Sequence, residues 1–235
     1  MATDNFQAHD YFLMDELLTD EHKLIRDTAR AWVKKEVTPT VEEYAQKAEF
    51  PKHWIKGLAE IGAFGPYIPT EYGGPGLDQI SYGIIMQEIE RGDSGLRSTA
   101  SVQSSLVMYP IWKYGNEEQR QKYLPKLATG EMMGCFGLTE PDAGSDPSNM
   151  KTHAVKEPGG WRITGSKMWI TNGGFANFFT VFAKIDDDKN LSAFLVEADS
   201  EGISLNPEEK KMGIKASSTV QVFFHDCKIP KENLL

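Results

Sequence analysis

Cysteine is scarce in this chain: Cys135 and Cys227 are the only two among 235 residues, each alone in an apolar context. Neither has a second Cys or a His at ligand spacing. A zinc site and a disulfide framework are therefore both excluded, and reduced thiols are expected. Histidine is equally thin: His9, His22, His53, His153 and His225 are scattered, without Cys or Ser neighbours that would suggest a nucleophilic triad. Positive charge is in deficit, since 25 Lys and Arg against 34 Asp and Glu leave a net charge of −9. Divided near Gly130, both parts remain acidic, so neither carries the footprint of a nucleic-acid binder. No apolar run approaches the roughly 18 residues of a membrane-spanning helix. The start, Met1-Ala2-Thr3-Asp4, lacks both the apolar stretch of a secretory signal and the Arg-rich pattern of a mitochondrial one. A cytoplasmic protein with no membrane span and no nucleic-acid partner is expected. Asp186-Asp187-Asp188 lacks the Gly and terminal Glu of a calcium loop and reads as a turn.

What is present is an ordinary globular composition, 40% hydrophobic and 25% charged. A chain of this size builds a core without staples. The first part has helical periodicity. Thr19 caps a segment with Leu24, Ile25, Ala29 and Trp32 on one face, and Pro51 stands at a first helical position ahead of Trp54, Leu58 and Ile61. Thr70 to Gly76 is a Gly-rich loop, after which Asp78 caps a helix ending at Gly92. A further helix is expected from about Ser98 to Tyr114, and Asn116 with Gln119 forms a capping box opening a helix toward Pro125. After Gly130 the period changes to two. Thr152–Lys156 and Trp161–Thr164 form a hairpin, followed by strands at 178–182, 192–196 and 220–224. Short strands joined by turns favour antiparallel pairing. The fold class expected is α+β: an all-helical N-terminal domain over residues 1–131, then an antiparallel β-barrel or sheet domain over 132–235.

Two segments carry residues suited to chemistry. Phe136-Gly137-Leu138-Thr139-Glu140-Pro141-Asp142-Ala143-Gly144-Ser145-Asp146 puts glycines and hydroxyls into one loop after a strand. Glycines let a ligand approach the backbone, and hydroxyls serve a polar ring edge or a phosphate. On its residues alone, the segment reads as a surface loop, for it lacks the G-x-G-x-x-G and Walker patterns. In Met168-Trp169-Ile170-Thr171-Asn172-Gly173-Gly174, Trp169 and Thr171 share one side of a strand. They offer an indole to stack on a flat cofactor and a hydroxyl for its edge, or a core Trp before a plain turn.

Together these segments resemble the paired signature of the flavin-dependent acyl-CoA dehydrogenases. The likeness extends through Pro69–Gly74, Gly115–Gln119 and Tyr123–Pro125 and covers nearly the whole chain. By that resemblance the cofactor is FAD. Thr139 and Thr171 hydrogen-bond the polar edges of its ring, and Trp169 packs beside the ring with Ile170 next to it. Phe136 through Ser145, including Leu138 and Gly144, line the cleft for FAD and acyl-CoA. Glu90-Arg91-Gly92-Asp93-Ser94-Gly95-Leu96-Arg97-Ser98, with Ser101–Met108, is similar to the glutaryl-CoA dehydrogenase branch. There Arg97 and Ser98 hold the terminal carboxylate of the acyl chain, Glu90 belongs to the same network, and Ser145 also borders the substrate. An Arg fork inside an apolar acyl pocket suits a carboxylate. Without the resemblance, Arg97 reads as an exposed residue at a helix start, paired with Glu90 or Asp93.

The resemblance implies α,β-dehydrogenation of glutaryl-CoA with decarboxylation to crotonyl-CoA, in lysine and tryptophan degradation. Electrons would pass to an electron-transfer flavoprotein, and the full-length protein would be a homotetramer. It also implies a third, all-helical domain after the sheet domain, which supplies the glutamate base. No residue of this chain matches that base, so the 235 residues by themselves are expected to be inactive and prone to associate. The alternatives are a non-catalytic fragment that binds FAD or acyl-CoA weakly, and a dehydrogenase of short or branched acyl chains. Lys210-Lys211-Met212-Gly213-Ile214-Lys215 reads as a solvated turn, or as a contact to CoA phosphates.

Overall fold

Cap chemistry sets the helix starts. The computed structural model describes residues 9–186 and 188–235, so Met1-Ala2-Thr3-Asp4 and Asp187 of the triple-Asp turn lie outside the described residues. Helix α1 (Asp20–Trp32) opens where the Thr19 hydroxyl accepts the His22 N–H at 3.2 Å and His22 Nδ1 accepts the Thr19 N–H at 3.3 Å. This is a capping box with His in the place of the usual Glu. Short helices α2 (Val41–Lys47) and α3 (Trp54–Glu60) follow. Pro51 stands three residues before α3, in a turn closed by the Trp54 N–H on the Pro51 carbonyl. Asp78 caps α4 (Gln79–Gly92), its carboxylate taking the Ser81 N–H at 2.7 Å. Helix α5 (Ser94–Ser101) starts earlier than the periodicity predicts, because Asp93 accepts the Leu96 N–H at 2.6 Å. A π-helical stretch, Val102–Met108, carries α5 into α6 (Tyr109–Tyr114). Helix α7 (Glu117–Ala128) runs three residues beyond Pro125. Trp54, Leu58, Phe64, Ile85, Ile89 and Leu124 form the centre of the helical core.

The second part is a seven-stranded sheet. Its strands are β1 (Gly134–Gly137), β2 (His153–Glu157), β3 (Gly160–Thr171), β4 (Phe178–Ile185), β5 (Leu191–Glu197), β6 (Ile203–Leu205) and β7 (Thr219–Pro230). The fold class is the expected one, with one difference of detail. The pairings β2–β3, β3–β7, β4–β5 and β6–β7 are antiparallel, but β1 and β2 both pair parallel to β4. Strand β3 returns the chain antiparallel to β2 and the turn after Thr171 reverses it again, so β4 runs in the direction of β1 and β2. These two lie in succession on β4, at Phe178–Val181 and at Lys184–Ile185. The loop carrying residues 138–152 leaves the sheet between them. Strand β6 has too few residues for a readable alternation, and β7 continues past Phe224 to Pro230 through a left-handed residue, Asp226 (φ 53°).

The two parts share a wall. Phe178 and Leu195 belong to the helical core, and the Phe178 ring lies 4.6 Å from that of Tyr123. Gln119, whose carbonyl completes the α7 capping box, donates to the carbonyls of Glu232 and Leu234, both at 2.9 Å. Tyr11, Phe12, Leu17, Leu24 and Tyr114 are exposed apolar side chains of the helical part.

Candidate functional site

The structure brings the two motif segments into contact. The Met168 N–H donates to the Thr139 carbonyl at 2.8 Å. One residue earlier, Lys167 Nζ donates to the Leu138 carbonyl at 3.2 Å and to Glu140 Oε1 at 2.8 Å. Lys167 is completely buried and Glu140 nearly so. Glu140 also accepts the Lys151 N–H at 2.6 Å, the Thr152 N–H at 3.0 Å and the Thr152 hydroxyl. Burial works to raise the Glu140 pKa, but the bonds from Lys167, Thr152 and Lys151 outweigh it and leave the carboxyl below its usual range. Burial lowers the Lys167 ammonium, against the pull of Glu140. Sequence reasoning passed over Lys167 and Thr152 and read Glu140 only as part of the loop.

Strand alternation accounts for the burial of Lys167, which shares a face with Ile163, and a bulge follows it. Between β3 and β7 the register steps from Lys167–Val222 to Ile170–Val220, three residues against two. Val220 and Val222 face the sheet core, so Lys167 and Ile170 share that inner face, and Trp169 and Thr171 lie on the other. Trp169 takes the extra step with φ 61°, a conformation that costs a bulky residue of order 1–3 kcal/mol and persists only where its surroundings impose it. Its indole is 53% exposed. A large ring held in a strained backbone and left half in solvent is not packed as core. Ile170, expected beside the cofactor, is buried in the sheet core at 2% exposure, so only its backbone is available there. Thr139 and Thr171 are half-buried, and no hydrogen bond among the described residues uses either hydroxyl. Leu138 is half-buried; Phe136 packs its ring 5.1 Å from Phe182; Gly144 and Ser145 are exposed on the loop.

Arg97 of α5 meets Glu90 of α4 together with Ser94, while the Ser98 side chain makes no hydrogen bond to either among the described residues. Arg97 Nε donates to Glu90 Oε2 at 2.6 Å, and the Ser94 hydroxyl donates to Glu90 Oε1 at 2.5 Å. The Arg97 and Ser94 bonds hold the Glu90 carboxyl below its usual range. This pairing is the one the residues alone allowed, and it engages one edge of the guanidinium. Helix α5 is tied to the motif strand through Asn172. That side chain is fully buried with φ 68°, and its amide donates to the carbonyls of Thr99 at 3.3 Å and Gly134 at 3.1 Å. Gln103, also fully buried, accepts the Gly134 N–H at 2.7 Å and donates to the carbonyls of Leu127 and Met132. The helix bearing Arg97 and the strand bearing Thr171 are thus held in one frame.

Other candidates divide. Lys211 is used internally, donating to Thr219 Oγ1 at 2.7 Å and to the Ser217 carbonyl, and burial lowers its pKa. Lys210 and Lys215 are exposed. Cys135 and Cys227 are buried free thiols; burial pushes Cys227 up to about 11 and Cys135 well above its ordinary value. Among the described residues no three His, Cys, Asp or Glu cluster as metal ligands, and no helix is long and apolar enough to cross a membrane. A cavity of about 390 Å³ opens beside the loop between Asp142, Lys151, Ser166 and His225, and one of about 350 Å³ is lined by Phe50, Lys52, Phe175 and Glu208. Neither is lined by Trp169, Thr171 or Arg97.

A helical part joined to a curled mixed sheet is the architecture of the N-terminal and middle domains of acyl-CoA dehydrogenases. The chain belongs to the acyl-CoA dehydrogenase family: residues 19–131 match the model of its N-terminal domain and residues 135–227 that of its middle domain. A probable acyl-CoA dehydrogenase of Bacillus subtilis (strain 168) is 43% identical over 232 residues, which is 97% of this chain and 39% of that protein. The glutaryl-CoA dehydrogenase of Mycobacterium smegmatis, solved in complex with FADH2, superposes with a TM-score of 0.91 at 39% identity, covering 95% of this chain and 57% of that one. The butyryl-CoA dehydrogenase of Megasphaera elsdenii gives 0.89 at 38% identity, covering 93% and 59%. The chain spans about half the length of the curated relatives it matches.

Proposed function

We propose that this chain is the helical and sheet portion, divided near residue 131, of an FAD-dependent acyl-CoA dehydrogenase acting on glutaryl-CoA. The observation that carries the reading is Trp169: a half-exposed indole in a left-handed bulge, beside Thr171 and bonded through Met168 to the Thr139 loop. This set fits the cofactor, because a flat ring needs one apolar face and donors along its polar edge, and both hydroxyls are uncommitted. Bound FAD supplies the acceptor for the hydride that leaves the β-carbon. Thr139 and Thr171 hold the ring edge as preorganised donors where negative charge develops. Trp169 excludes water from one side of the ring. Arg97 holds the far carboxylate of the acyl chain on the guanidinium edge turned away from Glu90, and Ser98 adds a hydroxyl one residue on. No residue here is assigned as the base for the α-proton; the family resemblance places that glutamate after the sheet domain. Crotonyl-CoA as product, an electron-transfer flavoprotein as electron acceptor and a homo-oligomeric full-length state belong to the same reading.

Titration of the chain with FAD tests the first step: quenching of flavin fluorescence with saturation is expected, and its absence at all concentrations rejects the cofactor. In the full-length protein, Arg97→Met should raise KM for glutaryl-CoA and leave butyryl-CoA nearly unaffected. Equal losses reject the carboxylate role. A second reading, oxidation of a short neutral acyl-CoA, draws on the existing Arg97–Glu90 pair and on the likeness to the butyryl-CoA enzyme. It predicts turnover with butyryl-CoA and none with glutaryl-CoA.

A further inference from the structure

The pair formed by Lys167 and Glu140 is a charge pair that the proposed reaction does not use. Lys167 is 0% exposed and Glu140 6%. Burying two charges carries a desolvation cost that an apolar pair of similar volume avoids, so stability alone does not account for it. Its location is specific. Consecutive residues of β3 hold consecutive carbonyls of the motif loop: Lys167 bonds that of Leu138 at 3.2 Å, and Met168 that of Thr139 at 2.8 Å. On the far side, Glu140 is anchored by the Lys151 and Thr152 N–H groups and by the Thr152 hydroxyl. Thr139 is therefore clamped on both sides along the backbone, and its hydroxyl has little freedom beyond rotation about χ1. Regular pairing with Val222 puts Lys167 beneath the loop, and the bulge that follows puts Trp169 outside. An apolar pair would fill the volume but give no directional bond to the Leu138 carbonyl.

We propose that Lys167 and Glu140, braced by Thr152, are positioning residues that fix the Thr139 hydroxyl relative to the Trp169 indole and so set the geometry of the flavin edge. The proposal rests on the FAD reading above for its purpose, though not for its structural content. The test is the double variant Lys167→Met/Glu140→Gln, which removes both charges while the one Gln carbonyl still accepts from Thr152 and the Lys151 bond is lost. Two readouts are taken: hydrogen exchange of the Met168 amide in the chain without cofactor, and FAD affinity with the midpoint potential of the bound flavin. Expected are faster Met168 exchange, FAD binding weaker by about tenfold, the scale of losses when ligand-orienting residues are removed, and a shifted potential. Unchanged amide protection together with unchanged potential in the folded variant overturns the proposal. If wild type binds no FAD, the cofactor reading has failed, and Met168 exchange alone decides the positioning role. Should the double variant not fold, Thr152→Val removes one brace and is read in the same way.

Discussion

Trp169 shows how a single position trades stability against use. A bulky residue at φ 61° is strained, and its indole recovers only part of its burial, being 53% exposed. Glycine adopts that conformation freely. Trp169→Gly should therefore keep stability to urea within about 1 kcal/mol of wild type, since relief of strain offsets the lost contact, while FAD affinity falls. Comparable losses of stability and affinity would mark the Trp as core. Lys167→Met is the opposite case, because it leaves the Glu140 carboxylate buried and uncompensated. A loss of about 3–5 kcal/mol is expected in urea unfolding, most of it restored by adding Glu140→Gln. Asp78 gives a pH signature. The Ser81 N–H, with His22 second, lowers its pKa from 3.8 to about 2. A depressed carboxyl stabilises the fold above its unfolded pKa, and that contribution is lost as pH falls through the folded value. Between pH 3.8 and about 2, wild type should lose more stability than Asp78→Asn, measured as the shift in urea midpoint. Parallel curves for the two proteins would remove Asp78 from the acid transition.

Among the elements, the rod formed by α5, its π-helical continuation and α6 does the joining. Gln103 lies in the π-helical stretch, is fully buried, and satisfies the Gly134 N–H and the carbonyls of Leu127 and Met132. Gln103→Leu fills similar space but leaves these groups without partners. At about 1–3 kcal/mol for a buried unsatisfied group, it should lower the unfolding free energy by at least that much; a smaller effect would show that water reaches the joint. The caps at Thr19, Asp78 and Asn116 were legible in the sequence because a cap is a local bond between near neighbours. So was the hairpin around Gly159. The two motif segments were legible as a family likeness, since their residues alone read as a surface loop and a core Trp before a turn. The Lys167–Glu140 pair was not. Its partners stand 27 residues apart, both are by habit surface residues, and which face of β3 is covered depends on its pairing with β7. The early start of α5 was hidden by Gly92 and Gly95, which read as breakers until Asp93 is seen to cap. The parallel pairing on β4 depends on where the chain returns, which no local pattern records.

Strands β4 and β5 show why the two parts act as one body. Along β4, Phe178 faces the helical core and Phe179 the sheet core; along β5, Leu195 and Val196 divide in the same way. A strand covered on both faces reads as a continuous apolar run rather than an alternating one, which is how 178–182 is composed. Separating the helices from the sheet would expose Phe178 and Leu195, both fully buried, together with the ring contact of Phe178 with Tyr123. It would also break the bonds of Asn172 to Thr99 and of Gln119 to the carbonyls of Glu232 and Leu234. The bonds at Gln103 and Asn172 lie in that same joint, beside the candidate flavin edge. Neither part keeps its core intact alone, so heat should unfold the chain in one transition with equal calorimetric and van't Hoff enthalpies. Phe178→Ala should lower that single midpoint, by about 3–5 kcal/mol in free energy, without splitting it. Two resolved transitions in wild type would mean that the helical and sheet parts hold their structure independently, and the shared wall would then not be what keeps Arg97 and Thr171 in register.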